Sequence, residues 1–468
     1  MNADDIIYLG VLAFCMCFGL YYRKINDPKT KKHLGAIVGL LVVFCVSGVH
    51  IIHALISATV SALLIVYTNS RTCPRYVFTF AFLYLCFFRT SEYFGIPYGS
   101  GHTNLVLMMV TLKTVGLAFE VSRSHELKQN KGKPDDPQKT ETEKLEEERS
   151  EIDQLDVIDV LCYVFCFCGV LTGPYFRYRV YIDHLEQQYH KYDDLKEALI
   201  AKVAWLPVLL GLYVFTEYYW PIDYVNTDEF LNRSFFYRYW YIWPTFVIFR
   251  SRIYAGLVLT EMVCIFAGLG LYPSRTEPKA GYGPTKNLDK LKECTSKDLE
   301  TEVYDYQTIR CIDVLGSELA PTSREAMKNW NITVQYWLAA YVYKQFPIKK
   351  YRTAATMLTS AIWHGVYPGY FLCIGTVPIT LMFFEDIWVK ILITDKSKRF
   401  TNGKLAMLFL KTQLFSYQIM SFVLLVLPKI FHYYNSVYHC VVIFHVILYF
   451  VGKRILKKRR TEVAPKAD

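Results

Sequence analysis

The chain has 468 residues, of which 53% are hydrophobic and 20% charged, with a mean hydropathy of +0.18. Soluble proteins of this size carry more charge and shorter apolar runs, so the composition indicates a chain embedded in a membrane. The net charge of +10 collects in the flanks of the apolar runs, which suits an anionic bilayer face; it is little evidence for nucleic acid, and none is expected as a partner.

Apolar stretches that reach or approach the length needed to cross a bilayer recur along the chain: Ile6–Tyr22, Leu34–Tyr67, Val77–Phe88, Leu105–Phe119, Val157–Leu171, Leu199–Phe215, Tyr241–Leu271, Leu405–Leu427 and Val437–Leu456. Leu34–Tyr67 and Tyr241–Leu271 exceed one upright helix of about 20 residues and are expected to bend or divide. Counted this way the chain holds about eleven membrane helices. Asp4 and Asp5 precede the first run, where a cleavable signal carries positive charge, so that run is read as a retained helix. Arg23, Lys24, Lys29, Lys31 and Lys32 follow it and place the first loop in the cytosol; GKRILKKRRTEVAPK, with the basic tail 457–468, places the C-terminus there too.

Between the apolar runs, Ser122–Asp153 is highly charged, lacks aromatic residues and reads as a flexible loop, with a short helix over Thr142–Glu151. Lys113 and Glu120, on the preceding helix, are seven apart and too distant to pair directly. Cys162, Cys166 and Cys168 cluster without nearby His or carboxylate ligands, so they read as small core thiols, with no metal and no redox cofactor. Arg177 and Arg179 follow Gly173-Pro174; they suit a phosphate or an interfacial snorkelling pair equally well. Arg238, Arg250 and Arg252 lie among aromatics and read as interface anchors. Asn232 begins a glycosylation sequon. Pro273–Arg324, with its KAGYGP start, is expected at the membrane surface. Glu261, Glu385 and Asp386 sit in apolar context without an assigned role. The whole chain, 1–468, is read as a single membrane-embedded domain.

PTSREAMKNWNITVQYWLAAYVYKQFP (Pro321–Pro347) follows. Thr322 and Glu325 have capping-box spacing and Pro347 is a stop, so the spacing predicts one helix of about 24 residues, roughly 36 Å long. On such a helix Asn331 and Gln335 share a face that wants an interior partner or a wet cavity. After PIKKYRT a second helix, Ala354–His364, is expected to pack beside the first. The uncharged stretch Thr353–Trp363 leads to His364 at the helix end, with Gly365 as the stop and Trp330 and Trp363 flanking the two polar residues. A neutral imidazole takes a proton from a hydroxyl, and a carboxamide orients that hydroxyl or donates to an oxyanion. This pairing suits acyl transfer from a thioester to an alcohol with no protein nucleophile. A core histidine bonded to a carbonyl, or a proton relay in a transporter, remains open on these residues alone, although no pseudo-symmetric halves are visible. Lys349, Lys350 and Arg352, in the turn between the helices, are either positive-inside residues or phosphate contacts for coenzyme A.

WNITVQYWLAAYVYK, followed 33 residues after Asn331 by His364 in SAIWHGVYPGY, resembles the membrane-bound O-acyltransferase family, in which an Asn and a His carry the active site. TGPYFRYRVY, TLKTVGLAFEV and FFYRYWYIWPTFVIFRSRIYAGL are similar to further segments of that family, so the resemblance spans about Thr111 to His364. It implies an all-α polytopic membrane protein with re-entrant or tilted helices around a central catalytic chamber. It implies Asn331 and His364 as catalytic residues. Gln335, Trp330, Trp363, Arg177, Arg179, Lys349, Lys350 and Arg352 are the candidates for substrate contact. The implied reaction uses acyl-CoA as co-substrate, with no other cofactor, and a lysophospholipid from the bilayer as acceptor. The wording is most similar to members that move a polyunsaturated chain, arachidonoyl first, to the sn-2 hydroxyl of lysophosphatidylinositol. Choline, serine and ethanolamine head groups are the alternatives, and the endoplasmic reticulum is the expected membrane.

Overall fold

The structure, a computed structural model, describes residues 3–130, 143, 144, 147, 149–187, 189–288, 302–380, 384–393 and 401–463. These are overwhelmingly helical, and the one sheet among them pairs Tyr272–Pro273 antiparallel with Tyr304–Asp305. Five stretches are long and apolar enough to cross a bilayer: Asp5–Tyr22, Pro28–Tyr67, Gly101–Asn130, Leu195–Asn226 and Asn402–Leu424. Leu427–Ser436 with Cys440–Arg459, bent by 69°, is either a sixth, broken span or a re-entrant loop. Ile6, Phe14, Leu41, Phe44, Val214 and Phe215 are exposed on these helices, as faces turned to lipid must be. The chain is an all-α polytopic membrane protein.

Fewer full spans are found among the described residues than the about eleven expected from apolar runs. Several runs make helices that are too short or too charged. Cys73–Arg89 has 17 residues, and Ile242–Ala267 carries Arg250, Arg252 and Glu261. The Leu34–Tyr67 run divides as expected: Pro28–Ser47 ends where Gly48 takes φ +53°, and Ile51–Tyr67 resumes after one 3₁₀ turn. Ile242–Ala267, by contrast, continues as one helix. Val157–Leu171 is not a span, because only Val157–Val164 is helical. Beyond it the backbone turns through Gly169 and Gly173, both at positive φ, and Cys166, Phe167, Cys168, Tyr175 and Phe176 are buried. Irregular backbone is tolerated at such depth only inside protein. The charged loop expected from Ser122 starts later, since Gly101–Asn130 is helical throughout; residues 131–142, at the centre of that loop, lie outside the described residues. The basic tail is helical as far as Val463.

The chain packs as two compact units. One comprises Met1–Trp205, Gly256–Cys311 and Asn331–Gln345; the other comprises Leu206–Ala255, Ile312–Trp330 and Phe346–Asp468. In the first, Ile51–Tyr67, Cys73–Arg89 and Gly101–Asn130 pack against one another. Pro28–Ser47 meets the irregular segment along glycine: Phe167 N–H donates to Gly35 O at 3.1 Å, and a Cβ on Gly39 would lie 1.6 Å from Phe165 O. Small residues at such spacing let backbones approach closely. In the second unit Arg352–His364, Pro368–Thr380 and Asn402–Leu424 pack in succession around a core that includes Trp388, Met420 and Tyr433.

Buried charges serve a common purpose in both units. Lys113 Nζ donates to the carbonyls of Tyr163, Val164 and Cys168 at 3.2–3.4 Å, closing the C-terminal end of Val157–Val164. Lys31 does the same for His184 O, in the last turn of Tyr178–Glu186, at 2.8 Å. Lys411 donates to Ser317 O, Glu318 O and Ala320 O at the end of Val314–Glu318. Carboxylates take the opposite ends. Glu120 accepts from Tyr178 N–H at 3.3 Å, and Glu385 accepts from Ser323 and Arg324 N–H at 2.5 and 3.2 Å. Short helices leave a large share of their backbone groups without internal partners, and lipid offers none. Each charge also has the sign that the helix dipole favours at that end. Lys113 and Glu120 thus serve separate backbone ends rather than each other.

Candidate active site

The segment carrying Asn331 is not the continuous helix its sequence predicts. Ser323–Lys328 is one short helix, capped by the Thr322 hydroxyl, which accepts from Glu325 N–H at 3.2 Å. The helix stops at Asn329. Asn331 then takes φ +45°, ψ +52°, and Ile332–Leu338 begins a second helix that runs into a π turn over Ala339–Tyr343. Apart from glycine, asparagine is among the few residue types that enter this left-handed region readily. Two of the backbone groups released by the break are met from one stretch of chain: Asp313 N–H donates to Asn329 O at 2.9 Å, and Ile332 N–H to Cys311 O at 2.7 Å. Asn331 is therefore a cap, and the face it was expected to share with Gln335 does not form. Their link runs through the backbone, with Gln335 N–H donating to Asn331 O at 3.0 Å. Both residues are half-buried.

His364 is the last residue of Arg352–His364, at the end expected. Gly365 N–H donates to Ala361 O at 2.9 Å, but its φ of 168° is ordinary extended backbone. Glycine is needed there for another reason: a Cβ would fall 2.2 Å from the ring of Tyr370. The imidazole, half-buried, stands among aromatic rings. Trp363 meets it edge-on at 4.9 Å, Phe422 at 5.3 Å, and Tyr370 lies at 6.1 Å. Phe422 also touches Phe249 at 5.1 Å, and Phe249 stacks on Trp330 at 6.1 Å with planes 5° apart. Tyr254 meets Trp330 at 5.0 Å. A continuous run of rings therefore joins Trp330 to His364 within one unit. Both tryptophans proposed to flank the polar pair belong to it. Phe249, Tyr254 and Tyr370 fall within the quoted segments FFYRYWYIWPTFVIFRSRIYAGL and SAIWHGVYPGY without being singled out there, and Phe422 carries no sequence signal that separates it from other aromatics in a chain with 37 Tyr and 31 Phe. These rings take the place of part of the water around the half-buried imidazole, and proton transfer and charge stabilisation are strongest where water is excluded.

The basic candidates divide into two groups. Arg177 is buried, 3.5 Å from Glu120 and 4.5 Å above the Tyr282 ring. Burial, the largest single influence, works against its charge, but Glu120 together with Tyr336, Tyr341 and Tyr175 outweighs it and raises its pKa above the ordinary range. Arg179 pairs with Asp183 at 2.8 Å. Both guanidinia are thus engaged by carboxylates. Lys349 and Lys350, in the turn Lys349–Tyr351, are exposed, and Arg352 Nε donates to Phe346 O at 3.0 Å. Of the other anchors, Arg250 pairs with Glu318 at 3.3 Å. Asn232 is exposed.

Residues 63–392 match the model of the membrane-bound O-acyltransferase family. The chain is 40% identical over 450 residues to a membrane-bound acylglycerophosphatidylinositol O-acyltransferase of Drosophila melanogaster, across 94% of this chain and 90% of that protein. It is 34% identical over 448 residues to the human protein of that description, across 94% and 92%, and 32% identical over 466 residues to the one from Xenopus laevis, across 98% and 95%. The match extends well beyond the Thr111–His364 stretch whose motifs suggested it, and this chain belongs to the membrane-bound O-acyltransferase family.

Proposed function

We propose that this protein moves an acyl chain from acyl-CoA to the free sn-2 hydroxyl of lysophosphatidylinositol. The observation that carries the reading is near full-length similarity, at 32–40% identity, to proteins named acylglycerophosphatidylinositol O-acyltransferases in fly, frog and human. In this reading His364 is the general base. Its neutral ring takes the hydroxyl proton as that oxygen attacks the thioester carbonyl. The oxyanion collapses, the C–S bond breaks, and the imidazolium returns its proton to the departing coenzyme A sulfur. The Asn331 carboxamide orients the hydroxyl or donates to the oxyanion. The ring box around His364 and the unwound backbone at Asn331, tied to Cys311 through Ile332 N–H, support these assignments.

The donor is a polyunsaturated acyl-CoA, arachidonoyl-CoA in first place, whose phosphates meet exposed Lys349 and Lys350. No cofactor beyond this co-substrate takes part. The membrane is the endoplasmic reticulum, with exposed Lys453, Arg454, Lys457 and Lys458 on the cytosolic side. A proton-coupled transporter gains nothing from the buried charges, because Lys113, Glu120, Glu385 and Lys411 are engaged with backbone. The test is an assay of the purified protein with arachidonoyl-CoA and a panel of lysolipids. Release of coenzyme A with lysophosphatidylinositol well above the other head groups is expected. Equal or greater release with another lysolipid would move the assignment to that head group, and no release with any would end it.

A further inference from the structure

Glu261 is completely buried in Ile242–Ala267, where a carboxylate is tolerated only when paired and hydrogen-bonded. Lys202 forms an ion pair with its Oε2, and Cys311 N–H donates to its Oε1 at 2.5 Å. Cys311 is also the residue whose carbonyl accepts from Ile332 N–H at 2.7 Å. That amide is the first of the helix after left-handed Asn331, a group with no partner in its own helix. A second tie holds the same turn: Thr333 Oγ1 accepts from Tyr175 N–H at 3.4 Å and lies 3.6 Å from Cys311 Sγ. Residue 311 is therefore gripped on its amide by Glu261 while its carbonyl grips the Asn331 turn. The geometry points to Glu261 as a positioning residue that acts through Cys311 to fix the direction of the Asn331 side chain. This inference rests on the proposed role of Asn331.

The effect belongs in kcat rather than in substrate binding, because a displacement of about 1 Å in a group that acts on the transition state costs up to about a hundredfold in rate. In the full-length enzyme in nanodiscs, Glu261→Ala is expected to lower kcat by roughly ten- to a hundredfold, with KM for both substrates within about twofold. Glu261→Gln retains an oxygen facing the Cys311 amide and should keep kcat within about threefold of wild type. Hydrogen exchange at Ile332–Gln335 should quicken in Glu261→Ala and not in Glu261→Gln. A wild-type kcat in Glu261→Ala, a change confined to KM, or a Glu261→Gln as impaired as Glu261→Ala would overturn the inference. If Glu261→Ala is not recovered folded, Glu261→Asp replaces it: the charge stays, the carboxylate retreats by one methylene, and kcat should fall about tenfold. Wild-type kcat in that variant is then the overturning result. Asn331→Ala separates the two claims. An inactive Asn331→Ala beside a normal Glu261→Ala sinks the positioning alone, whereas a normal Asn331→Ala beside an impaired Glu261→Ala sinks both.

Discussion

The Asn331 turn and the His364 helix end, which carry the two proposed catalytic residues, are built by opposite routes. His364 sits on regular backbone, thirteen residues of helix with ordinary dihedrals, and its surroundings are built from side chains: Trp363, Phe422 and Tyr370. Asn331 sits on irregular backbone, a left-handed residue between a six-residue helix and a seven-residue one, and its surroundings are built from peptide groups. The first arrangement tolerates change in the backbone's chemistry but not in ring volume. The second tolerates little change in any partner that meets a freed N–H or C=O. A membrane interior sharpens the contrast, because apolar packing has no competitor there and an unmet peptide group has no water to turn to.

The contrast is broken most sharply at Asn331 itself. Asn331→Gly keeps the left-handed backbone without strain and removes the carboxamide, so turnover should fall about 10²–10³-fold while the melting temperature in detergent stays near wild type. Asn331→Ala should lose as much activity and also about 1 kcal/mol of stability, because alanine resists positive φ. If Asn331→Gly were active, the backbone and not the amide would be the functional element.

The next largest effect concerns remote capping. Lys113→Met preserves bulk but leaves the carbonyls of Tyr163, Val164 and Cys168 unmet, and should cost about 2–4 kcal/mol, read as a melting temperature several degrees lower. Glu385→Ala frees two amides at the start of Ser323–Lys328 and should cost about 1–3 kcal/mol, accompanied by faster hydrogen exchange in that helix. Unchanged melting in both variants would mean that short helices here need no partners. Smallest of all, Lys349→Gln with Lys350→Gln should raise KM for acyl-CoA about two- to fivefold with kcat intact, an effect that shrinks as salt rises.

Legibility in the sequence follows the same division. His364 at a helix end was readable, because an uncharged run followed by Gly365 is a local pattern. So were the division of Leu34–Tyr67, without its position, and the buried thiols Cys162, Cys166 and Cys168. The break at Asn331 was not: capping spacing at Thr322, apolar content and Pro347 all describe an intact helix, and what unwinds it is the strand of chain around Cys311, remote in sequence. Val157–Leu171 misled in the same way. Its composition is that of a span, but two glycines at positive φ and the Lys113 ammonium turn it into a buried, irregular segment. The pairing of Arg177 with Glu120 was not legible either, because Glu120 lies 57 positions away on another helix. Short-range pattern finds helices and ring positions; it does not find which distant charge closes which helix end.

The most direct test replaces His364 with alanine and measures coenzyme A release from arachidonoyl-CoA and lysophosphatidylinositol at matched protein levels. Loss of a general base costs roughly 10²–10⁴ in rate, so turnover should all but vanish while yield and melting temperature hold. Turnover close to that of the unaltered protein would contradict the assignment of the proton to this ring.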